Sequence, residues 1–203
     1  MDGNTPIYSA ARYGHVEIVR MLLERGDANP DLPDNNGDTP LSYAALNGHE
    51  RVVEMLLGQD NVNPDNANKK GQTPLLWASW GGCEGVVKML LGRNDVNPNT
   101  PDMNGQTPLG WAAGRRHLGV VKILLERDGV NPNTSDKSGQ TPLHCAALYG
   151  RVEVVRMLLE RDDLNPDRQD MYGQTALLYA IRNGNTQVIA LLQPQTVAAR
   201  SAD

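Results

Sequence analysis

The sequence predicts an all-α repeat solenoid, in which helix-turn-helix units with hairpin-like fingers stack side by side. The first observation is a Thr-Pro pair that returns at a constant interval of 34 residues, with Thr175-Ala176 as its last variant. The second is the two short apolar patterns that follow each threonine, and the third is the polar, proline-bearing stretch before the next one. A fixed period indicates units that contact mainly their neighbours. The threonines are Thr5, Thr39, Thr73, Thr107, Thr141 and Thr175.

The fifth unit shows why each helix is expected. Thr141 can cap a helix because its hydroxyl accepts a hydrogen bond from an orphan backbone N–H, and Pro142 suits the first helical position. Gly150 is expected to end this first helix. The following stretch VEVVRMLLER carries an apolar stripe at helical spacing from Val152 to Leu159, with charged residues on its other side. The unit therefore contains two short helices, and we expect them to be antiparallel.

The connection between units is predicted to be an extended, hairpin-like finger. Residues 127–140 read RDGVNPNTSDKSGQ and contain Asn-Pro, Asp and Ser-Gly, which favour turns, whereas Val130 is their only apolar residue. We expect one domain over residues 1–193, followed by a C-terminal tail at residues 194–203. Its six repeats are predicted at residues 1–33, 34–67, 68–101, 102–135, 136–169 and 170–193.

These motifs resemble the ankyrin repeat. The stretch DKSGQTPLHCAALYG followed by VEVVRMLLER is similar to one such unit, and the family signature Thr-Pro-Leu-His-x-Ala stands complete from Thr141 to Ala146. The resemblance extends from about Gly3 to Leu192, and the Asn-Pro link is similar to that of long fungal ankyrin arrays. It implies a concave groove for a partner, formed by the finger tips and the exposed side of each first helix.

Two departures from the family pattern carry expectations. The signature histidine, which in the family ties repeats together, is present only as His144, so polar links between repeats are expected to be weak. The glycine that ends the first helix is replaced by Arg116 in the fourth repeat. Arginine there must adopt a positive φ or reshape the turn, so the fourth repeat is expected to be locally irregular.

Composition bounds the environment of the protein. The formal net charge is −5, no apolar run is long enough to cross a bilayer, and no secretory signal opens the chain. Cys83 and Cys145 lie two repeats apart, which is too far for a disulfide, and free thiols fit a reducing compartment. An intracellular, cytoplasmic protein is expected, with the nucleus left open.

Catalysis and metal binding find little support. Histidines recur where second helices open, and a row of metal ligands is one interpretation of them. A repeated turn residue is the favoured interpretation, because ligands in successive units would stand about 10 Å apart, whereas zinc needs them at about 2 Å. No nucleophile with a base and an orienting group is evident. We expect no enzyme activity and no cofactor. The positions are His15, His49, Cys83 and His117.

The residues that vary between repeats predict the binding surface. At the finger tips and the ends of the first helices, the charged residues are all lysine or arginine, despite the acidic total. Large rings and guanidinium groups at the same positions are typical of residues that dominate interface energetics. The residues expected at this site are Lys69, Lys70, Trp80, Met103, Arg115, Lys137, Tyr149, Met171 and Tyr172.

Trp77 and Trp111 belong to a further column, together with Tyr43 and Tyr179. A helical wheel places this column opposite the Leu-Ala face, which indicates an exposed aromatic stripe. The family usually has leucine there, which indicates packing between neighbouring first helices. Partly buried packing with accessible ring edges is the favoured interpretation.

The expected function is a monomeric protein-binding module that recognises an acidic segment with apolar anchors. One alternative is single-stranded nucleic acid in the basic, aromatic groove, although the net negative charge would repel phosphates. A second alternative is a structural or regulatory stack excised from a larger protein, because the first repeat is as apolar as an internal one. The last repeat, with polar residues from Asn185 to Gln187, resembles a cap.

Overall fold

The computed structural model describes residues 5–26 and 28–193. Within these residues the chain forms twelve helices and no strand. The helices are α1 (Pro6–Arg12), α2 (Val16–Arg25), α3 (Pro40–Leu46), α4 (Glu50–Leu57), α5 (Pro74–Gly81), α6 (Glu84–Leu91), α7 (Pro108–Arg115), α8 (Leu118–Glu126), α9 (Pro142–Leu148), α10 (Val152–Leu159), α11 (Ala176–Arg182) and α12 (Thr186–Leu192). The predicted tail at residues 194–203 lies outside the described residues.

The odd-numbered helices are the first helices of the six repeats, and the even-numbered ones are the second helices. Each first helix packs on the first helices of its neighbours, each second helix on the neighbouring second helices, and the two helices of a repeat on each other. This arrangement confirms the all-α repeat solenoid. The six-repeat boundaries remain a prediction.

Capping fixes where the first helices begin. Thr39 Oγ1 accepts a hydrogen bond from Ser42 N at 3.2 Å, and Thr73 Oγ1 does the same from Leu76 N at 3.2 Å. In the fifth repeat, Thr141 N instead donates to Nδ1 of His144 at 3.2 Å, while Nε2 of that ring bonds to the Gln174 carbonyl at 3.0 Å. His144 therefore links its own cap to the next finger, as the family resemblance implies.

The core is a continuous layer of valine, leucine and alanine between the helix pairs. Leu75, Ala78, Val86, Val87 and Leu90 of the third repeat are fully buried, and their equivalents recur along the stack. Alanines in the first helices allow neighbouring helices to approach closely. Val62, Val96 and Val130, which lie between a second helix and the next finger, are also buried in this core. Burial of this layer is the main favourable contribution to folding.

The expectation of weak polar links between repeats is wrong. From the second repeat onward, the residue before each second helix bonds to a carbonyl at the end of the first helix of the preceding repeat. The side-chain group that makes this bond differs from repeat to repeat. The bonds are His49 Nε2 to Arg12 O at 3.1 Å, Cys83 Sγ to Leu46 O at 3.5 Å, His117 Nε2 to Trp80 O at 3.0 Å, Arg151 Nε to Gly114 O at 3.1 Å and Asn185 Nδ2 to Leu148 O at 3.2 Å.

The expected irregularity of the fourth repeat is also absent from the turn after α7. Arg116 adopts φ 68°, and it is the only residue other than glycine with a positive φ among those the structure describes. Arg116 N bonds to Ala113 O at 3.4 Å and His117 N to Ala112 O at 3.1 Å, as at the equivalent Gly14 and His15. The arginine accepts the left-handed conformation and the turn is retained.

Candidate functional site: the finger-helix groove

Each finger is closed by one polar side chain at its base. Asp136 Oδ1 accepts hydrogen bonds from Ser138 N at 2.8 Å and Gln140 N at 2.9 Å, which folds residues 136–140 into a tight turn. A carboxylate or amide oxygen can accept both bonds, so aspartate and asparagine serve equally. The other members of this column make the same pair of bonds, and they are Asp34, Asn68, Asp102 and Asp170.

The finger tips form one row along the molecule. Backbone hydrogen bonds join adjacent fingers: Lys69 N bonds to Asn36 O at 2.9 Å, Met103 N to Lys70 O at 2.7 Å, Lys137 N to Asn104 O at 2.8 Å and Met171 N to Ser138 O at 2.9 Å. These bonds fix the tips relative to one another, so their side chains project from a rigid edge. The six predicted tip residues are all exposed: Lys69, Lys70, Met103, Lys137, Met171 and Tyr172.

Trp77 and Trp111 are half-buried, in agreement with the packing interpretation. The Trp77 indole N–H donates to Asp38 Oδ1 at 2.9 Å, and the Trp111 indole N–H donates to Asp102 Oδ2 at 3.3 Å. Burial raises the pKa of Asp38, although a hydrogen bond from Asn68 Nδ2 at 2.8 Å acts in the opposite direction. The column therefore anchors first helices to fingers, and these nearby carboxylates are occupied by donors.

An aromatic and cationic cluster occupies the middle of the face. The Arg115 guanidinium lies 3.8 Å from the centre of the Trp80 ring and 5.8 Å from that of Trp111. Trp80 in turn meets Trp77 edge to face, with ring centres 6.0 Å apart. Three predicted tryptophans and the predicted arginine are thus one contiguous surface on α5 and α7. We call this surface and the finger-tip row, together with Tyr149, the groove.

The cations of the groove form no ion pair with the carboxylates that the structure describes. Across residues 5–26 and 28–193, the ion pairs lie on second helices or finger-base links, and none includes Lys69, Lys70, Arg115 or Lys137. Positive charge in the groove is therefore not neutralised by a contacting carboxylate. The paired cations are Arg20, Arg51, Arg93, Lys122, Arg156 and Arg161.

A cavity between α7 and α9 was not predicted. It measures about 480 Å³ and is lined by Trp111, Arg115 and Tyr149, which were predicted site residues, and by further residues that were not. Two glycines stand there where the preceding repeat has Leu76 and Trp80, and this loss of bulk was a visible signal. The unpredicted residues that matter most are Gly110, Gly114, Cys145 and Arg151.

Two kinds of chemical site are relevant to the described residues: a reactive thiol and a metal centre. Burial raises the pKa of the Cys145 thiol to about 11, which keeps the sulfur protonated at neutral pH and unsuited to nucleophilic attack. The described residues hold no cluster of His, Cys, Asp or Glu suited to a metal ion. Both cysteines are free thiols. The longest helix in the described part has 10 residues, about half of what a membrane span needs, and none could cross a bilayer.

Comparisons with known proteins agree with the architecture. The family model described as ankyrin repeats (3 copies) matches in overlapping segments at residues 1–68, 28–102, 61–136, 94–170 and 129–201. Comparison with curated proteins gave no match. The matched segments extend over residues 1–201, and the chain belongs to the ankyrin-repeat family.

Proposed function

We propose that the groove binds a segment of a partner protein that carries acidic residues and apolar anchors, and that the protein acts by binding rather than by catalysis. Proteins of this family are generally protein interaction modules. The observation that carries the proposal is a set of exposed cations beside exposed rings: Lys69, Lys70, Arg115 and Lys137 form no ion pair with a described carboxylate.

The apolar contribution comes from rings that remain exposed although the core is well formed. Tyr149 is 57% exposed and Tyr172 is 70% exposed, while Met103 and Met171 add flexible apolar surface at the finger tips. Tyrosine offers a large, rigid ring that loses little conformational entropy on binding, and methionine is flexible enough to adapt to a partner. Cations between them would attract an acidic segment over a distance and raise the association rate. We place this binding inside the cell, where free cysteines are stable.

Affinity capture from a cell extract tests the proposal. The unmodified chain is compared with a triple variant, Trp80→Ala, Arg115→Glu and Tyr149→Ala. We expect at least one protein to be held by the unmodified chain and lost by the triple variant. A matched control carries Lys88→Ala, Lys122→Glu and Arg156→Ala on exposed positions of the second helices, and it should retain that protein.

Two results would count against the proposal. Capture of the same proteins by all three chains, or of none by any of them, would show that the groove is not the binding surface. Tight, salt-sensitive binding to mixed single-stranded oligonucleotides would favour a nucleic-acid function instead. Thermal unfolding of each variant establishes that it is folded before the captures are compared.

A further inference from the structure

The cavity between α7 and α9 is lined by two glycines of α7. Gly110 and Gly114 stand on α7, where the equivalent residues of α5 are Leu76 and Trp80. A Cβ added at Gly114 would lie 3.6 Å from Tyr149 Cε2 and 3.7 Å from Cys145 Cβ, so a first side-chain carbon there would make only ordinary contacts. The backbone at Gly114 can therefore accept a side-chain carbon, but glycine supplies none and the cavity stays open.

The walls of the cavity combine apolar and polar groups, and Gln106 and His117 are among the polar ones. Trp111 and Tyr149 contribute rings, the protonated thiol of Cys145 is 8% exposed, and the glycines contribute bare backbone. The volume of about 480 Å³ falls within the range of roughly 300–1,000 Å³ that ligand sites occupy. It exceeds what a single buried water or a packing defect would need.

The rim is positively charged. Arg115 and Arg151 both line the cavity, and no aspartate or glutamate does so among the described residues. Arg151 donates to the Gly114 carbonyl through Nε at 3.1 Å, and its guanidinium lies 5.7 Å from the centre of the Tyr149 ring. Neither arginine forms an ion pair within the part of the chain that the structure describes.

The nearby carboxylates form no ion pair with these arginines. Asp136 accepts hydrogen bonds from its own finger and from Gln106 Nε2 at 2.8 Å, and Asp102 accepts the Trp111 indole N–H at 3.3 Å. Both carboxylates lie at finger bases, where their oxygens hold the fingers closed. The charge of Asp136 reaches Cys145, but neither carboxylate lines the cavity or pairs with a guanidinium group at its rim.

We propose that this cavity takes one aromatic side chain of an extended partner segment, while carboxylates on either side of that residue pair with Arg115 and Arg151. The inference rests on the proposed function and assigns its central anchor. Rings prefer offset or edge-to-face contact with Trp111 and Tyr149. Guanidinium groups bind carboxylates with charge-assisted, often bidentate hydrogen bonds. Charge complementarity and an aromatic-lined opening thus select an acidic peptide with a central ring.

Short peptides test this inference without the natural partner. The first is acetylated Asp-Glu-Phe-Glu-Asp amide, the second has alanine in place of phenylalanine, and the third has lysine in place of the four acids. Binding is followed by NMR titration of the Trp111 indole N–H and the Gly114 amide. We expect the first peptide to shift both signals and the other two to bind at least tenfold more weakly.

Filling the cavity supplies the decisive variant. Gly114→Leu should reduce affinity for the phenylalanine peptide at least tenfold, while the midpoint of thermal unfolding stays unchanged or rises because a helical glycine is replaced. Gly58→Leu is the matched control: Gly58 is exposed, follows α4 with ordinary helical φ, and an added Cβ meets only atoms at 3.5 Å. This control should bind the peptide as the unmodified chain does.

Several outcomes would overturn the inference. They are equal binding of the phenylalanine and alanine peptides, unchanged binding by Gly114→Leu, and no binding of any peptide. Phenylacetate binding as tightly as the first peptide would indicate a small-molecule site instead. If the captured protein is lost by the triple variant but held by Gly114→Leu, the groove still binds protein and only the cavity assignment fails.

Discussion

Two adjacent junctions of the stack differ in the side chains that fill them. One lies between α5 and α7, in repeats three and four, and the other between α7 and α9, in repeats four and five. At the first, Leu76 is fully buried and the Arg115 guanidinium lies 3.8 Å from the Trp80 ring centre. At the second, Gly110 and Gly114 hold the equivalent places and leave a cavity of about 480 Å³. One junction is closed by side chains and the next is open.

The links that hold these junctions explain why such variation is tolerated. His117 Nε2 bonds to the Trp80 carbonyl at 3.0 Å, and Arg151 Nε bonds to the Gly114 carbonyl at 3.1 Å. Both bonds use a backbone acceptor, so replacing tryptophan by glycine leaves the link intact. The repeats are therefore linked through backbone acceptors, and the side chains of the groove can differ without breaking these links.

The largest expected effect comes from opening the closed junction. Leu76→Ala removes a fully buried side chain and should lower the free energy of unfolding by about 3 kcal/mol. Denaturant-induced unfolding measures this change. In the open junction, Gly114→Ala should change stability by no more than about 1 kcal/mol in either direction, because its added Cβ meets only Tyr149 and Cys145 atoms at 3.6 to 3.7 Å. Similar losses for both variants would contradict the comparison.

A second difference lies in the finger-base links. Asn99 uses both halves of its amide: Oδ1 accepts from Asn131 N at 3.1 Å and Nδ2 donates to the Gly129 carbonyl at 2.7 Å. Asp65, one repeat earlier, accepts from Asn97 N at 3.3 Å through Oδ2, but its buried Oδ1 has no hydrogen-bond partner. A carboxylate cannot donate as the amide does, so this link is incomplete.

Asp65→Asn should complete the link and raise the free energy of unfolding at pH 7 by about 1–2 kcal/mol. Burial, with a smaller contribution from the charge of Asp95, raises the pKa of Asp65 in the folded state. A raised pKa means that the unmodified protein loses stability as pH rises through it. The advantage of the variant should therefore be full at pH 7 and shrink toward pH 4. Denaturant unfolding at both pH values measures it.

The reciprocal change is the matched control for that prediction. Asn99→Asp should destabilise the protein at pH 7 by a similar amount, and the loss should diminish toward pH 4 as the new carboxyl becomes protonated. Two variants with the same sign of effect, or effects independent of pH, would contradict the assignment of the unpaired oxygen as the cause.

The smallest expected effect concerns the turn that follows α7. Arg116→Gly should raise the free energy of unfolding by at most about 1 kcal/mol, because relief of the positive φ is partly offset by the greater freedom of glycine in the unfolded chain. Thermal unfolding detects this shift. Gly184→Ala is the reference: its φ is 67° and an added Cβ meets nothing within 4 Å, so it should lose about 1 kcal/mol. Destabilisation by Arg116→Gly would show that the arginine makes contacts that outweigh its strain.

Local signals account for what the sequence predicts well. The start of each first helix follows from the threonine and the residue after it, and the positive φ of Arg116 follows from the glycines at equivalent positions. The inter-repeat links do not follow from local signals. His117, Arg151 and Asn185 bond to the same backbone position through different groups, so no single residue type marks them.

The candidate site divides in the same way. The exposure of the finger-tip residues is predictable, because turn residues project from the fold. The cavity is less so, since it depends on Gly110 and Gly114 facing Cys145 and Tyr149 of the next repeat. A glycine in the sequence indicates a cavity only once the packing of the neighbouring helices is known.

The most direct test of the central claim is hydrogen–deuterium exchange of the chain alone and with the protein that it captures. If the groove is the binding surface, exchange should slow at the finger tips and at the ends of α5, α7 and α9, with little change in α6, α8 and α10. Slower exchange confined to the second helices would contradict the account, since it would place the partner on the surface where the ion pairs lie.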